Sequence, residues 1–154
     1  MTTIRRFVPS DLAEATDVWY RSLAASIAYM RPEQRRREED DKGFFREVVA
    51  VTRDIWVAVL EERVVGVLAL EGSEVDRLYV APEAQGCGVG TALLQHAKTL
   101  HPDGLTLVTH QRNGGARRFY ERHGFVPGKL GLSPPPESEP DVIYVWPDLL
   151  APRR

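Results

Sequence analysis

The sequence predicts an α/β fold of the α+β kind, in which a mixed, mostly antiparallel sheet contains a central parallel strand pair and is flanked by helices. Three β-rich runs, at 54–61, 64–71 and 74–80, are separated by only two residues each, and such short connections favour an antiparallel meander. The third run is followed by a glycine-rich turn, an apolar helical stripe at 88–101 and another β-rich run at 105–109. A strand–helix–strand order of this kind makes its two strands parallel.

The N-terminal part of the chain predicts a short strand at 3–8, followed by a helix that is capped by Ser10 or Asp11. The apolar residues at helical spacing in this helix are Leu12, Ala15, Trp19 and Leu23. We expect the helix to run to about Met30.

The segment before the meander predicts further helical structure. Pro32 is suitably placed to begin a second short helix. Residues 33–42 mix both charge signs densely, which is typical of a solvated helical face. A further helix is predicted at 43–51.

The C-terminal part predicts a helix at 114–123 that ends at Gly124 as its C-terminal cap, followed by a strand near 125–130. The segment 131–140 contains four prolines, so we expect no regular structure there. A last strand at 142–146 precedes a basic tail.

Length and composition limit the classes to which this protein can belong. A chain of 154 residues fits one domain, 1–154, and buries about 68–70% of its unfolded surface. The net charge of -2 argues against a nucleic-acid partner. The single cysteine, Cys87, excludes an internal disulfide and suits a reducing compartment. The N-terminus lacks the apolar core of a signal peptide, and no apolar run is long enough to span a bilayer, so we expect a cytoplasmic protein without a membrane partner.

The turn after the third run has glycines at Gly86, Gly88 and Gly90 and opens a helix. Such a turn presents unpaired backbone N–H groups, which together with the helix dipole form an anion site. Hydrogen bonds to a charged oxygen are worth about 1.5–3 kcal/mol each, so a few of them hold a diphosphate without a lysine. We expect a bulky residue at Gly88 or Gly90 to abolish binding, because a β-carbon would obstruct the phosphates.

Two common nucleotide-binding loops do not match this turn. The ATP/GTP loop ends in Gly-Lys-Ser/Thr, and the chain contains no such run. The dinucleotide fingerprint needs a third glycine, and that slot holds Leu93 when counting starts at Gly88, or Thr91 when it starts at Gly86. A nucleotide-binding protein is therefore disfavoured.

The spacing Gln85-x-x-Gly88-x-Gly90 resembles the pyrophosphate loop of the GNAT superfamily, the acyl-CoA-dependent N-acyltransferases. A second block resembles the other GNAT signature, Asn-x-x-Ala-x-x-Phe-Tyr-x-x-x-Gly-Phe, and every position of it matches from Asn113 onward. Asn113 and Tyr120 are two helical turns apart, so they share one helix face.

The resemblance covers residues 54–126 well and the first fifty residues only loosely. It implies a GNAT-like fold and an enzyme that transfers the acetyl group of acetyl-CoA to a primary amine directly, in a ternary complex and without a metal. Asn113 would contact the pantetheine arm, and the strand before the loop would polarise the thioester through its backbone N–H groups. The implied residues at the acetyl-CoA site are Leu78, Tyr79, Val80, Gln85, Gly86, Cys87, Gly88, Val89, Gly90, Thr91, Asn113, Phe119 and Tyr120.

Tyr120 is the candidate acid. The resemblance places this tyrosine near the thioester sulfur, where a phenol would protonate a departing thiolate whose free pKa is near ~8.5. The alternative is that Tyr120 only packs in the core with a satisfied hydroxyl.

Glu74 is the candidate base. Alkylamines are almost wholly charged at neutral pH, and some family members place a catalytic glutamate at this position. The alternative is an exposed residue after a turn. Other members carry the base on the following strand, where this chain has Val108, which cannot transfer protons. Asp76 and His110 are secondary candidates for the same task, although a lone histidine is more often structural.

Cys87 allows a different mechanism, in which a thiolate takes the acyl group before passing it on. The alternative is that Cys87 is a tolerated loop residue, since the family transfers the acyl group directly. A further alternative is a catalytically silent acyl-CoA-binding sensor or assembly module, which Tyr120 and Glu74 disfavour because a pure binder needs neither an acid nor a base.

The acceptor is an amine-bearing small molecule or peptide, and the sequence leaves its identity and a homodimeric state open. The resemblance implies that the helices within 11–51 and the turn region 131–142 wall the acceptor groove. Candidate lining residues are Trp19, Tyr20, Tyr29, Glu137, Glu139 and Asp141.

Overall fold

Seven strands form one sheet in a computed structural model that describes residues 1–148. The predicted basic tail lies largely outside these residues. The strands are β1 (Thr3–Arg6), β2 (Asp54–Leu60), β3 (Arg63–Glu71), β4 (Glu74–Val80), β5 (Leu105–His110), β6 (Val126–Leu132) and β7 (Pro140–Trp146). They lie in the order β1-β2-β3-β4-β5-β7-β6.

The helices connect and cover these strands. They are α1 (Leu12–Ser26), α2 (Glu38–Phe44), α3 (Ala50–Thr52), α4 (Val89–Leu100) and α5 (Gly114–Arg122), with a π-helical turn at Phe45–Val49 between α2 and α3 and 3₁₀ turns at Pro9–Asp11, Pro32–Gln34 and Pro82–Ala84. Within residues 1–148, none of the helices has the length and the apolar content that crossing a membrane requires.

The sheet is antiparallel except between β4 and β5, which confirms the predicted mixed sheet with one parallel pair. The parallel pairing is confined to the start of the two strands, where Glu74 lies opposite Thr106. Beyond that point β4 pairs only with β3, as Val80 does with Gly66. The carboxyl halves of β4 and β5 therefore diverge and leave a gap in the middle of the sheet.

A β-bulge in β4 accompanies this divergence. Ala69 of β3 lies opposite Arg77 and Leu70 lies opposite Val75, so Asp76 is the extra residue on β4. Bulges bend a strand and re-aim its side chains, and they are common next to functional sites.

Helices α1 and α4 lie on opposite faces of the sheet. Tyr79 contacts Trp19 of α1, with ring centroids 5.3 Å apart. The next residue, Val80, faces α4 near Gly90, because successive side chains of a strand point to opposite faces. The residues of β3 from 64 to 70 are buried, as expected for a strand that is covered on both sides.

A glycine in β3 allows the close approach of α4. A β-carbon on Gly66 would lie 2.9 Å from Cδ1 of Leu93 and 3.0 Å from Cγ1 of Val89. Any larger residue there would push α4, and the glycine-rich turn that precedes it, away from the sheet.

The structure moves several predicted boundaries. Helix α1 ends at Ser26 rather than near Met30, which is buried in the turn that follows. The stretch predicted as one solvated helical face at 33–42 is a 3₁₀ turn, an extended break at Arg35 and the start of α2 at Glu38. The helix predicted at 43–51 is thus the continuation of α2.

The proline-rich segment is shorter than predicted. Strand β6 reaches Leu132 and β7 begins at Pro140, which leaves 133–139 as the loop between them. Proline lacks only the backbone donor, so it is tolerated as the first residue of a strand.

Candidate active site

A cavity of about 1130 Å³ opens where β4 and β5 diverge. It brings together nearly all the residues predicted for acetyl-CoA, namely Leu78, Tyr79, Val80, Gln85, Gly86, Gly88, Val89, Gly90, Thr91, Asn113, Phe119 and Tyr120. Among the residues predicted for catalysis and for acetyl-CoA, Glu74 and Cys87 lie outside this lining. Cys87 is exposed, with its sulfur 3.8 Å from the carbonyl of Gln85.

The glycine loop (85–91) faces open space at its two left-handed residues. Gly86 has φ +79° and Gly88 has φ +81°, and a β-carbon on either would meet nothing within 4 Å. Gly88 is also the N-cap of α4, and the amide of Ala92 is the one that bonds back to its carbonyl at 3.0 Å. The amides of residues 89–91 therefore have no partner in the helix and are free to bind an anion.

Gly90 has a different role from Gly88. A β-carbon on Gly90 would lie 3.3 Å from Cζ of Phe119, so this position faces the neighbouring helix α5 rather than the open side of the loop. A β-carbon on Gly90 would therefore disturb the packing of α4 against α5. It would not obstruct the phosphates directly, contrary to the prediction from the sequence.

Two backbone donors of β4 point into the gap. The amide of Ala81 donates to the carbonyl of Val65 in β3, at 2.8 Å. Because amides alternate in direction along a strand, those of Leu78 and Val80 point the other way, toward β5. The carbonyl of Val80 faces the same way and accepts from the side chain of Gln85 at 3.2 Å, which fixes the loop to the end of β4.

Asn113 caps α5 at the edge of the cavity. Its Oδ1 accepts from the amide of Ala116 at 3.1 Å, as an N-cap side chain does. Its side-chain nitrogen, Nδ2, makes no hydrogen bond to the residues that the structure describes, which leaves that donor for a ligand.

Tyr120 is both a core residue and a cavity residue. Only 8% of it is exposed, and its ring packs against Phe125 and Tyr144, with centroids 5.5 and 6.4 Å away. Its hydroxyl makes no hydrogen bond within residues 1–148. Burial raises the pKa of this phenol, Tyr79 raises it further, and Arg77 lowers it to a smaller extent. The group therefore stays protonated at neutral pH and retains a proton to donate.

Two of the carboxylates considered as bases are poorly placed for that task. Glu74 lies at the closed end of the gap, opposite Glu71 and Thr106, and its role as a base stays a prediction that its position does not favour. Asp76 lines the cavity but is held by Arg53 at 3.2 Å and by Arg77 at 3.4 Å.

His110 is tied to two of the predicted acceptor residues. Its Nδ1 lies 2.6 Å from the hydroxyl of Tyr29, and its Nε2 lies 3.8 Å from Oε2 of Glu137. All three side chains line the cavity. The sequence predicts a role for each of them separately, but no pattern in it indicates that they contact one another.

The predicted acceptor residues divide into two groups. Trp19, Tyr29, Glu137 and Asp141 line the cavity. Tyr20 does not, because the next position of a helix points about 100° away, and its ring lies 5.4 Å from Nζ of Lys42. Glu139 is buried behind the cavity wall, where it pairs with Arg112 and accepts from Gln34 at 3.0 Å.

Two further acidic residues, Asp40 and Asp41, line the cavity although the sequence indicated a solvated face for them. Burial raises the pKa of Asp41, the neighbouring Arg36 lowers it, and Glu137 and Asp40 raise it. Within residues 1–148, no group of three or more His, Cys, Asp or Glu side chains is arranged to hold a metal ion, and the expected absence of a metal stays a prediction.

Comparison with known proteins identifies the family. Residues 52–127 match the model of the acetyltransferase (GNAT) domain. The chain is 34% identical over 125 residues to peptidyl-lysine N-acetyltransferase YjaB of Escherichia coli K12, which covers 80% of this chain and 81% of that protein.

Solved structures agree with this assignment. The solution structure of apo-form YjaB from Escherichia coli superposes with a TM-score of 0.81 at 29% identity, covering 95% of this chain and 97% of that one. PaiA N-acetyltransferase of Thermoplasma acidophilum, solved in complex with coenzyme A, shares the fold with a TM-score of 0.70 at 21% identity, over 94% and 97% of the two chains. The chain therefore belongs to the GNAT family and is an acetyl-CoA-dependent N-acetyltransferase that acts on an amine.

Proposed function

We propose that this N-acetyltransferase acetylates the side-chain amine of lysine residues in peptides or proteins. The observation that carries the proposal is the acidic wall of the cavity, formed by Asp40, Asp41 and Glu137. The carboxylate of Asp41 has no hydrogen bond or ion pair within residues 1–148, Glu137 forms only a long ion pair with Arg36 at 3.8 Å, and Asp40 pairs with the exposed Arg37 at 3.2 Å. A lysine ammonium would relieve the mutual repulsion of these carboxylates.

The relatives support the same acceptor. YjaB of Escherichia coli is named a peptidyl-lysine N-acetyltransferase, and so is YiaC of the same organism, which is 28% identical to this chain over 130 residues. An acceptor of this class also fits a cavity whose polar groups are largely shielded from solvent, because a lysine side chain extends far enough to reach such groups from a peptide at the surface.

We assign the other half of the cavity to acetyl-CoA. The diphosphate would bind the amides of the glycine loop, and the pantetheine arm would lie in the gap between β4 and β5, beside Asn113. The thioester oxygen would accept from the amides of Leu78 or Val80, which gives the carbonyl an oxyanion site before reaction.

Transfer is proposed to be direct, with Tyr120 as the acid. The amine attacks the thioester carbonyl, the new C–N bond forms, and the C–S bond breaks as the phenol gives its proton to sulfur. The position of Cys87, exposed and outside the cavity lining, supports direct transfer over an acyl-cysteine carrier.

Calorimetry and an acceptor panel test the proposal. Acetyl-CoA is expected to bind with micromolar affinity and ATP not to bind comparably. Thiol release is then measured with four acceptors: an N-terminally blocked peptide with one lysine, a lysine-free peptide with a free N-terminus, spermidine and free lysine. The blocked lysine peptide is expected to give the highest kcat/KM.

Each other outcome has a distinct meaning. A higher kcat/KM for the free N-terminus or for spermidine contradicts the acceptor class. Binding of acetyl-CoA without thiol release on any amine would indicate the silent sensor module instead. A lack of stabilisation by acetyl-CoA in thermal melts would contradict the assignment of the cavity itself.

A further inference from the structure

We propose that His110 is the catalytic base that removes the proton from the acceptor amine, and that Tyr29 and Glu137 position it. This inference rests on the proposed function, because it supplies the deprotonation step of the same site. A lysine ammonium has a pKa of ~10.4, so only about one molecule in 2,500 is uncharged at pH 7. A base within reach of the ammonium therefore raises the rate at neutral pH.

His110 is the one of the four histidines that lines the cavity. It is the last residue of β5, on the side of the gap opposite the amides of Leu78 and Val80. Its ring is mostly shielded, with 16% of the side chain exposed. Imidazole is the side chain whose ordinary pKa lies nearest neutral pH, which suits it to accept a proton there.

The two ring nitrogens have different surroundings. Nδ1 is engaged by the hydroxyl of Tyr29 at 2.6 Å, which fixes the plane of the ring. The base role requires the tautomer in which Nδ1–H donates to the Tyr29 oxygen, so that the lone pair of Nε2 is free. Nε2 lies 3.8 Å from Oε2 of Glu137, which is too long for a hydrogen bond between the two atoms, so this carboxylate does not occupy the lone pair.

Tyr29 remains a neutral partner in this arrangement. Burial raises its pKa to about 12, and the nearby Glu139 and Glu137 contribute to the increase while Arg112 opposes it. A phenol in this state accepts from Nδ1–H without losing its own proton at neutral pH.

Hydrogen bonds from a buried glutamine hold the loop that carries Glu137 in place. Gln34 donates to the backbone carbonyl of Glu137 at 2.7 Å and to Oε1 of Glu139 at 3.0 Å. Arg112 pairs with Glu139, and its guanidinium lies 4.7 Å from the ring centre of Tyr29. The same buried network therefore holds both partners of His110. Such support is what a catalytic group needs in order to keep one geometry.

The charged groups around the imidazole come from every neighbouring segment. They are Arg36, Asp41, Arg112, Glu137, Glu139 and Asp141, the last of which is the β7 partner of His110 in the sheet. Of these groups, Glu137 is the carboxylate that faces Nε2, at 3.8 Å.

These groups account for every proton that moves during the transfer. One ammonium proton moves to Nε2 of His110, directly or through one water, and the lone pair that is freed forms the C–N bond. The C–S bond breaks and sulfur takes the proton of Tyr120. The second nitrogen proton, released as the amide forms, replaces it on Tyr120, and the imidazolium gives its proton to solvent.

The test compares pH–rate profiles for His110→Gln, Glu74→Gln and the wild type with the blocked lysine peptide. For His110→Gln we expect kcat at pH 7 to fall by about 10²–10⁴-fold. Its log kcat should then rise with pH at a slope near one, up to about pH 10, because the reaction now depends on free amine. Acetyl-CoA affinity should stay within about twofold by calorimetry, as it should in the control His101→Gln, whose residue follows α4 outside the cavity.

Two further variants separate a base from a structural histidine. In His110→Ala, added imidazole should restore part of the rate, which keeps the test valid if the glutamine variant folds poorly. In Glu137→Gln, kcat should fall less than in His110→Gln, because Glu137 positions the base but does not take the proton.

Three results would overturn the proposal. The first is a loss in His110→Gln that is uniform with pH, the second is no loss at all, and the third is the amine-dependent profile appearing in Glu74→Gln instead. If the lysine peptide is a poor substrate, the proposed acceptor class is wrong, but the same variants measured with the best amine still test the role of His110. The absence of transfer to every amine would contradict both the proposed function and the role of His110.

Discussion

The ring of Phe119 lies against Gly90, so that a β-carbon on Gly90 would be 3.3 Å from Cζ of the phenylalanine. Gly90 belongs to the glycine-loop signature at the start of α4. Phe119 belongs to the second signature, where it directly precedes Tyr120. Their contact joins α4 to α5. It therefore fixes the distance between the site for the diphosphate and the group proposed to protonate the leaving thiolate.

The same substitution at two helical glycines should have different effects. Gly43→Ala in α2 meets nothing within 4 Å and should raise the free energy of unfolding by about 0.5–1 kcal/mol, the gain expected from helix propensity. Gly90→Ala forces Phe119 to move, which should cancel that gain and weaken acetyl-CoA binding several-fold. Denaturation and calorimetry measure both effects, and adding Phe119→Leu to Gly90→Ala should recover the affinity. Equal stabilisation by both alanines would mean that the contact has no consequence.

Replacing Tyr120 by Phe should lower kcat by roughly ten- to a thousandfold and leave acetyl-CoA affinity unchanged. The ring still packs in the core, and only the proton donor is lost. The control is Tyr144→Phe, which removes a hydroxyl that donates to Glu121 and accepts from Arg117. That variant should lose stability but keep its turnover. Unchanged turnover in Tyr120→Phe would leave packing as the role of this residue.

Cys87→Ala should keep most of the activity, because the thiol is exposed and lies outside the cavity lining. Initial-rate plots should intersect, and mass spectrometry should find no acetylated protein without an acceptor. A dead variant and an acetyl adduct on Cys87 would establish the acyl-carrier mechanism instead.

Labelling of Cys87 separately tests the position of the diphosphate. Iodoacetamide should modify the free protein readily and the CoA-saturated protein slowly, since Gly86 and Gly88 on either side would contact the ligand. Labelling at the same rate in both states would place the diphosphate elsewhere.

The pairing of Glu139 with Arg112 should make stability depend on pH. The hydrogen bond from Arg112 holds the pKa of Glu139 below its ordinary value in the folded protein. A lowered folded pKa stabilises the protein above the ordinary carboxyl range, and this stabilisation is lost as the pH falls through that range toward the folded pKa. The Tm of Glu139→Gln should therefore be lower than that of the wild type at pH 7, and the difference should shrink below about pH 4.

That pH dependence has a matched control. Glu33→Gln removes a carboxylate that pairs with Arg31 at 3.5 Å on an exposed surface, where ion pairs contribute little. Its Tm should follow that of the wild type at each pH. A pH-independent difference for Glu139→Gln would show that the residue contributes through packing alone.

The architecture was predictable because its determinants are local. Two-residue connections leave little choice but an antiparallel meander, although the first of them lies at 61–62 and not at the predicted 62–63, and a helix between two strands makes them parallel. The predicted end of α1 was wrong. The helix ends at Ser26 and Met30 is buried beyond it, and no property of 27–31 alone gives the core position of that side chain.

The residues that we assign to acetyl-CoA could be grouped from the sequence for the same reason, and their role stays a prediction. The proposed contacts are backbone amides on one continuous stretch, from the end of β4 through the glycine loop, and side chains on one helix, so spacing alone groups them. Even there, the direction of each group came from the structure, since Gly88 faces open space while Gly90 faces Phe119. The position of Glu74 at the closed end of the gap also depends on how β4 pairs with β5.

The sequence by itself determined the family, the order of the strands along the meander and the loop that would hold a diphosphate, because these depend on spacings of a few residues. Only the tertiary structure decided the acceptor half. Tyr29 and His110 are 81 positions apart along the chain, yet their polar atoms lie 2.6 Å apart. Gln34 reaches Glu139 across 105 positions. Contacts of this kind arise when packing of the core brings distant segments together, and no local pattern encodes them.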